Sequence, residues 1–231
     1  MEFNPSKCEV IRITRKRSPL ETSYLLHDHH LSIVPSGRYL GATIHEKLQW
    51  NEHVDSTTKK ANNSLAFLRR NIASCPKAIK SQCYKSLVRP ILEYASPAWD
   101  PHTAQNINKL EAVQRRAARF VTGDYRRTSS TSQMIATLCW PTLQQRRADA
   151  KLVLVHRIIH GHVEIQAPAY FRPTALTTRG HSLRYYLPFC RTDVYKHSFF
   201  PSGIRSWNQL PEEVASAQSL DAFRVGLGSL H

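Results

Sequence analysis

Four adjacent residues near the N-terminus, H-D-H-H at 27–30, are of types that can ligate a transition metal. Neighbouring residues of a strand point to opposite faces, so at most two of the four could share one site. No second cluster supplies the missing ligands at a recognisable spacing. The pattern therefore favours the polar end of a hairpin over a metal site, and the sequence predicts no metal ligands.

The acidic residues offer no pair of carboxylates suited to metal-assisted catalysis. All seven Asp residues are isolated, and no Asp-Asp pair of the kind that holds two Mg²⁺ ions occurs. Glycine-rich phosphate loops and the G-x-S-x-G nucleophile motif are also absent. The sequence accordingly predicts no catalytic residue.

Basic side chains recur on one side of a helix predicted from Ile107 to just before Gly123. At about 100° per residue, its apolar residues fall within one arc of roughly 160°. These residues are Ile107, Leu110, Val113, Ala117, Phe120 and Val121. The candidate nucleic-acid-binding residues lie opposite this arc or just past the helix: Lys109, Arg115, Arg116, Arg119, Arg126 and Arg127. Such a ridge can bind phosphate groups, but it is equally typical of a solvated helix face.

The net charge favours phosphate binding over a merely solvated face. Thirty-two Lys and Arg residues against 17 Asp and Glu residues give +15. An excess this large attracts polyanions, of which nucleic acid is the usual one. A membrane surface is less favoured, because the basic residues do not gather beside an apolar terminal helix. A further alternative is a fragment whose balancing acidic surface lies elsewhere in a longer protein.

The absence of targeting features and the spacing of the cysteines limit the cellular compartments in which this protein is expected. No run approaches the ~18 apolar residues of a membrane-spanning helix, and the N-terminus lacks the apolar region of a signal peptide. The cysteines are odd in number and lack C-x-x-C spacing, which indicates buried thiols in a reducing compartment. They are Cys8, Cys75, Cys83, Cys139 and Cys190. We therefore expect a cytoplasmic or nuclear protein that is not secreted and has no membrane partner.

Hydrophobic periodicity predicts an α+β fold that is mainly helical. Short β-branched stretches predict about four antiparallel strands within residues 8–45, with P-S-G at 35–37 linking the last two. From Asn51, expected to cap the first helix, apolar residues recur at helical spacing. Helices are predicted over 51–72, from about 76 to 91, over 107–121, over 131–138 and over 142–160. Short connections between the first three favour an antiparallel bundle.

Two details of the later chain follow from the same patterns. The second helix is expected to bury a stripe of Ile79, Cys83, Leu87 and Ile91, and to kink or break at Pro90. The C-terminal tail is aromatic, with Ser219 capping a last short helix that bears Phe223 and Leu227. We predict four segments: a sheet fragment at 1–50, a helical bundle at 51–128, a helical connection at 129–161, and an aromatic-rich subdomain at 162–231.

Several motifs, taken in order, resemble one family. N-P-S-K-C-E-V-I-R-I-T-R at 4–15 and Y-L-G-A-T-I at 39–44 resemble the end of the palm in reverse transcriptases of non-LTR (LINE-like) retrotransposons. L-Q-W-N-E-H-V at 48–54, V-R-P-I-L-E-Y-A-S-P-A-W at 88–99 and L-E-A-V-Q-R-R-A-A-R-F-V at 110–121 are similar to the thumb that follows it. R-R-A-D-A-K-L at 146–152, T-R-G at 178–180 and S-F-F-P-S-G-I-R-S-W-N-Q-L-P at 198–211 resemble the tail beyond the polymerase.

The resemblance implies roles for particular positions. Tyr39 and Gly41 would belong to the hairpin that grips the primer end, and the bundle at 51–128 would be the thumb that packs against the template–primer duplex. Lys109, Arg115, Arg116 and Arg119 would then contact phosphates, which carry no sequence information. The expected partner is the backbone of RNA or DNA, as an RNA–DNA hybrid or another duplex.

The family's catalytic Asp-Asp turn lies upstream of the segment matched by N-P-S-K-C, so we expect this chain to lack it. The parent polymerase would use Mg²⁺, whereas no cofactor is expected here, and an upstream palm and fingers segment is a possible partner. The preferred function is sequence-tolerant RNA or DNA binding by a truncated, non-catalytic fragment. The alternatives are an incomplete gene model of a full RNA-directed DNA polymerase and a structural fragment that binds nothing.

Overall fold

The computed structural model describes residues 4–14, 16–20, 22–174 and 180–230, and its fold is α+β and mainly helical, as predicted. A short 3₁₀ turn at Pro5–Lys7 precedes six strands. They are β1 (Glu9–Val10), β2 (Leu25–Leu26), β3 (His29–His30), β4 (Ser32–Ile33), β5 (Ser36–Tyr39) and β6 (Ala42–His45). Residue 15 of the first predicted strand, and residues 178–179 of the T-R-G motif, lie outside the described residues.

The helices follow the strands, and an isolated antiparallel β-bridge joins Pro173 to Tyr185 between two of them. They are α1 (Asn51–Asn71), α2 (Lys77–Cys83), α3 (Arg89–Glu93), α4 (Ser96–Trp99), α5 (Ala104–Thr122), α6 (Thr131–Thr137), α7 (Leu143–Ile159), α8 (Ala167–Tyr170), α9 (Asp193–Lys196), α10 (Phe199–Trp207), α11 (Glu212–Ala215) and α12 (Leu220–Ser229). A π-helical segment at Tyr84–Val88 joins α2 to α3. The predicted caps at Gly123 (φ 73°) and Ser219 are confirmed.

The strand pairing differs from the prediction. β2 and β3 form an antiparallel hairpin, β5 and β6 form a second one, and β1 pairs with β4 in parallel. The predicted P-S-G turn is wrong, because Ser36 and Gly37 lie within β5. The chain turns instead at Leu40 and Gly41, where φ is 46° and 86°. A two-residue hairpin needs positive φ at its tip, and Gly41 adopts it without steric cost.

Two long parallel helices, α1 and α5, form the main packing of the bundle. Side-chain hydrogen bonds pair Asn51 with Asn106 and Lys109 with Asp55, offsets of 55 and 54 residues. A near-constant offset means that the helices run in the same direction, and the α2–α3 segment between them runs back. Asn51 is not the predicted N-cap, because it is the first helical residue and its side chain accepts from Asn106 instead.

In α5 the predicted apolar arc is buried except for the partly exposed Ile107, but the stripe predicted for the second helix fits less well. Ile79 and Leu87 are about half exposed, and the buried residues are Tyr84, Val88 and Leu92. The predicted stripe is therefore wrong for Ile79 and Leu87, whereas Cys83 and Ile91 are partly buried against the core. The wide π turn before Pro90 alters which side of the helix faces α1 and α5. The predicted interruption at Pro90 is confirmed: α2 ends at Cys83, and after the π turn a new helix, α3, begins at Arg89 with Pro90 in its first turn.

The core side chains fall into two groups that meet at α7. The first group comes from α1 through α6 and ends at Leu143, the first residue of α7. The second begins at Leu152 in the same helix and includes Ile204, Trp207 and Phe223 from the tail. Because one continuous helix contributes to both groups, its position determines how the tail meets the bundle. The four-segment division stays a prediction.

A buried ionic cluster attaches α7 to the bundle. The carboxylate of Asp100, just past α4, accepts from Arg147 Nε at 2.9 Å and from Lys151 Nζ at 2.8 Å. The side chain of Arg147 is fully buried and that of Lys151 is 10% exposed. Sequence periodicity did not indicate that this helix buries two basic residues beside its apolar ones.

The cysteines and the helix lengths complete the fold. All five cysteines are free; Cys139 is exposed and the others are partly exposed, so the prediction of buried thiols is wrong. Among the described residues, no helix combines the length and apolar character needed to cross a lipid bilayer.

Replacing Asp100 with alanine should lower the free energy of unfolding by about 3–5 kcal/mol, because it leaves two buried cations without their carboxylate. Urea-induced unfolding followed by helical circular dichroism measures this loss. Asp221→Ala is the matched control, since that carboxylate is 95% exposed and lies 3.7 Å from Arg224. Equal stability of the two variants would contradict the ionic attachment of α7.

Candidate nucleic-acid interface

The tip of the β5–β6 hairpin rests against the bundle through Tyr94. The Tyr94 hydroxyl donates to the carbonyl oxygen of Leu40 at 3.1 Å. Gly41 has φ 86°, and a Cβ atom added there would lie 3.1 Å from Tyr94 Cε1, so a larger residue would strain the turn and crowd Tyr94. The side chain of Tyr39 is 65% exposed. The hairpin named by the resemblance is therefore held in place while its aromatic residue remains accessible.

A second attachment of this hairpin is the buried side chain of His53 in α1. Its Nδ1 accepts a hydrogen bond from the backbone N–H of Thr43 at 3.2 Å. The ring packs edge-on against Trp99, with centroids 4.6 Å apart. Burial, then the nearby charges of Lys60 and Arg38, hold the pKa of His53 below its ordinary value. The ring is thus neutral at neutral pH, as an acceptor must be.

A basic groove lies between the hairpin and the bundle. It has a volume of about 470 Å³ and its lining includes Arg38, Gly41, His53, Lys60 and Tyr94. Two cations beside an exposed backbone turn and aromatic rings form a surface suited to a phosphate–sugar backbone. Tyr39 is not among the lining residues, although it is next to Arg38 in β5.

The structure divides the predicted basic ridge of α5 between two roles. Lys109 pairs with Asp55 at 2.5 Å, and Arg116 donates to the Asn62 side chain at 3.1 Å. Arg115 reaches only the carbonyl oxygen of Asn108, at 3.4 Å. These contacts are on the helix surface, so the charges remain close to solvent.

Arg119 has a different environment from the rest of the ridge. Its guanidinium donates to the carbonyl oxygens of Asp124, Arg126 and Ser129 at 3.0–3.4 Å. It therefore holds the loop that follows α5, and its role as a phosphate contact stays a prediction. Arg126 pairs with Asp124 at 2.9 Å and lowers the pKa of that carboxyl, while Arg127 is exposed.

Basic residues of α1 that the sequence reasoning did not single out lie beside the ridge. At 100° per residue, Lys59 and Arg70 share the outward side of α1, and Lys60 lies between them and the groove. All three are exposed. We define the α1–α5 basic face as Lys59, Lys60, Arg70, Lys109, Arg115 and Arg116. The sequence does not show this face, because it arises only when α1 and α5 pack side by side and bring residues about 54 positions apart onto one surface.

A metal site in the described part of the chain would need a group of His, Cys, Asp or Glu side chains. No three His, Cys, Asp or Glu side chains in that part lie close enough together to hold a metal ion. The H-D-H-H segment forms the turn and second strand of the β2–β3 hairpin, and its turn residues His27 and Asp28 have φ of 48° and 59°.

Comparison with known proteins gives a similarity to a polymerase. Over 126 residues the chain is 26% identical to a probable RNA-directed DNA polymerase from transposon BS of Drosophila melanogaster. The match covers 53% of this chain and 14% of that protein, so the chain corresponds to a small part of it. No protein-family model matches the chain, and no solved structure matches it significantly. The similarity supports a reverse-transcriptase-related region here.

Acidification should detach the hairpin from α1, because a protonated His53 cannot accept from Thr43. Since the pKa of His53 is lowered in the folded chain, its contribution is complete above pH 6.5 and is lost as pH falls through that lowered pKa. Between pH 6.5 and that lowered pKa, the protection factor of the Thr43 amide should fall about tenfold per pH unit, and it should level off below. Hydrogen exchange followed by NMR measures this factor.

The matched variants for this experiment are His53→Gln and His27→Gln. The first should remove the pH dependence of Thr43 protection, and the second, in the exposed β2–β3 turn, should leave it unchanged. A Thr43 protection factor that is constant with pH in the unmodified chain would show that the His53 contact does not hold the hairpin.

Proposed function

We propose that this chain is the thumb-like and C-terminal part of a non-LTR retrotransposon reverse transcriptase, and that it binds RNA or DNA duplexes without reading their sequence. The similarity to a transposon polymerase supports the relation to reverse transcriptases. The order of the motifs supports the placement near the C-terminus and the non-LTR class. The observation that carries the binding proposal is the α1–α5 basic face.

The composition of this face suits phosphates rather than base edges. Lys59, Lys60 and Arg116 are exposed, and flexible cations of this kind contact backbone oxygens at many geometries. Asp55 is the acidic partner of Lys109, but both side chains are substantially exposed, so water and salt weaken that pair. An approaching phosphate therefore competes with a weak interaction, and binding through this face should release counterions and depend on salt.

The hairpin groove extends this surface towards a strand end. Lys60 belongs to the basic face and also lines the groove with Arg38 and Gly41. In the proposal, a duplex lies along α1 and α5 while one strand passes the hairpin tip near Tyr39. The chain holds nucleic acid, and the Mg²⁺ that a polymerase needs is held by other residues of the parent enzyme. Binding without catalysis by this chain is therefore the proposed activity.

A triple variant, Lys59→Gln, Lys60→Gln and Arg116→Gln, should weaken binding to an RNA–DNA hybrid. Each lost phosphate contact lowers the slope of log K against log salt by about 0.9, so the slope should fall by about two to three. Fluorescence anisotropy with a labelled hybrid over a range of KCl concentrations gives both affinity and slope. Hybrids of unrelated sequence should bind alike.

The control removes the same charge from exposed positions of α7 and the tail: Arg157→Gln, Arg191→Gln and Lys196→Gln. This variant should keep the original salt slope. Equal loss in both triple variants would mean that net charge alone, rather than the α1–α5 basic face, attracts the hybrid. Absence of salt-sensitive binding in the unmodified chain would overturn the proposed function.

A further inference from the structure

A second basic surface with aromatic rings lies at the far end of the bundle from the hairpin. We define the bundle-end cluster as Arg69, Lys77, Lys80, Tyr125 and Arg126. It combines the C-terminal turn of α1, the beginning of α2 and the loop after α5. On α1 it is separated from Thr57, in the hairpin groove, by twelve residues, which is roughly 18 Å along the helix axis. It is therefore a surface distinct from the groove.

Two adjoining depressions share Tyr125 and Gly123 as a common wall. The smaller, about 330 Å³, is lined by Arg69, Lys80 and Phe120 in addition to the shared residues. The larger, about 750 Å³, is lined by Lys77, Arg126 and a set of hydroxyl and amide side chains. Those polar residues are Thr122, Thr128, Ser129, Ser130, Gln133 and Thr137. A polar trough beside an aromatic ring offers space for a base and for its sugar–phosphate backbone.

The aromatic ring of Tyr125 is available for stacking. Its side chain is 53% exposed, although the Arg69 guanidinium carbon lies 5.5 Å from the ring centroid. The Nζ atom of Lys80 lies 5.4 Å from the centroid of the Phe120 ring, but Phe120 is buried and cannot stack on a base. With Arg69 beside the Tyr125 ring, a nucleic-acid base can stack on the ring while its phosphate contacts the guanidinium.

The electrostatics of this cluster favour an anion. Among the described residues that line the two depressions, Asp124 alone is acidic. Its carboxylate already accepts from the Arg126 guanidinium and backbone N–H and from the Ser129 hydroxyl, and these bonds lower its pKa. Arg69, Lys77 and Lys80 therefore present uncompensated positive charge around Tyr125.

The loop that carries Tyr125 is held in a defined conformation. Arg119 donates to three of its carbonyl oxygens, so the loop is ordered before any ligand arrives. Gly123 begins the loop at φ 73°, and a Cβ atom added there would meet nothing within 4 Å. The position beside Tyr125 is therefore open space rather than packed protein. Pre-ordering lowers the entropic cost of binding.

We propose that the bundle-end cluster binds an unpaired stretch of RNA or DNA, with one base stacked on Tyr125 and the flanking phosphates on Arg69, Lys77 and Lys80. This site rests on the proposed function only in that its partner is also a nucleic acid. The bundle-end cluster binds a single strand, whereas the α1–α5 basic face binds a duplex. The separation of roughly 18 Å corresponds to about five stacked nucleotides of one strand. A single-stranded overhang can therefore reach the cluster from a duplex bound at the groove.

The test compares a blunt RNA–DNA hybrid with the same hybrid carrying an adenosine overhang of about five nucleotides, made as RNA in one arm and as DNA in another. In the unmodified chain the overhang should increase affinity. Tyr125→Ala should reduce the affinity for the overhang substrate about tenfold, because stacking of one base is lost. Its affinity for the blunt hybrid should not change. Tyr125→Phe keeps the ring and should keep the gain.

Two further variants make the result specific. Tyr186→Ala removes a comparably exposed tyrosine (61%) from the tail and should behave as the unmodified chain does. The double variant Lys77→Gln, Lys80→Gln should lower the salt dependence of binding for the overhang substrate and leave it unchanged for the blunt hybrid. Tyr125 is half exposed, so its replacement leaves the core intact, and circular dichroism confirms folding of each variant.

The outcomes separate this proposal from the proposed function. Salt-sensitive binding of the blunt hybrid with no gain from either overhang overturns the single-strand site and leaves the duplex proposal standing. The adenosine strand is also measured alone, without the hybrid. If the hybrid does not bind but this strand binds and requires Tyr125, the duplex proposal is overturned and the single-strand site is supported. Equal losses in the Tyr125→Ala and Tyr186→Ala variants would also overturn the single-strand site.

Discussion

The attachment of α7 to Asp100 is the constraint on which the arrangement of this protein depends. α7 begins in the core of the bundle and ends in the core of the tail, so its placement relates the two. Arg147 is fully buried and Lys151 nearly so, and their charges are tolerable only because one carboxylate accepts from both. A second tie, from Arg146 to both carboxylate oxygens of Glu93 in α3, lies at the surface of the same contact. Both anionic partners, Glu93 in α3 and Asp100 just past α4, come from one short segment, so the position of α7 depends on contacts that this segment provides.

The large positive charge of the chain therefore has more than one use. Arg147 and Lys151 are part of the interior, and Arg119 holds a loop by its carbonyl oxygens. Lys59, Lys60 and Arg116 remain at the surface and can meet a polyanion. Net charge measures the sum of these roles and cannot separate them, because it ignores where acceptors lie. The same limitation applies to the basic ridge of α5, where Arg119 differs from Arg115 and Arg116 although their spacing suggests one function.

Loop and turn geometry explains most differences between prediction and structure. Both hairpins turn at residues with positive φ, and only the Leu40–Gly41 turn has a glycine to indicate it. At His27 and Asp28 the polar pair itself adopts this conformation, which Asp and His tolerate better than most residues. The parallel pairing of β1 with β4 joins segments more than twenty residues apart, and no local pattern specifies such a partner. Half of the stripe predicted for the second helix is exposed, because apolar residues lie on several sides of this helix and periodicity cannot choose between them.

The sequence by itself determined the long helices, the caps at Gly123 and Ser219, and the buried arc of α5, because these follow from the period of 3.6 residues and from the conformational preference of glycine and serine. It also determined the excess of positive charge and the motifs that resemble reverse transcriptases. Only the tertiary structure decided which cations are free to bind. The acceptors of Arg147 and Arg116, at Asp100 and Asn62, are 47 and 54 residues away in the chain. Tyr125 lies beside Arg69 for the same reason, since α1 and α5 run parallel. Hydrogen bonds between distant residues depend on how helices pack, and helix packing is a property of the whole fold.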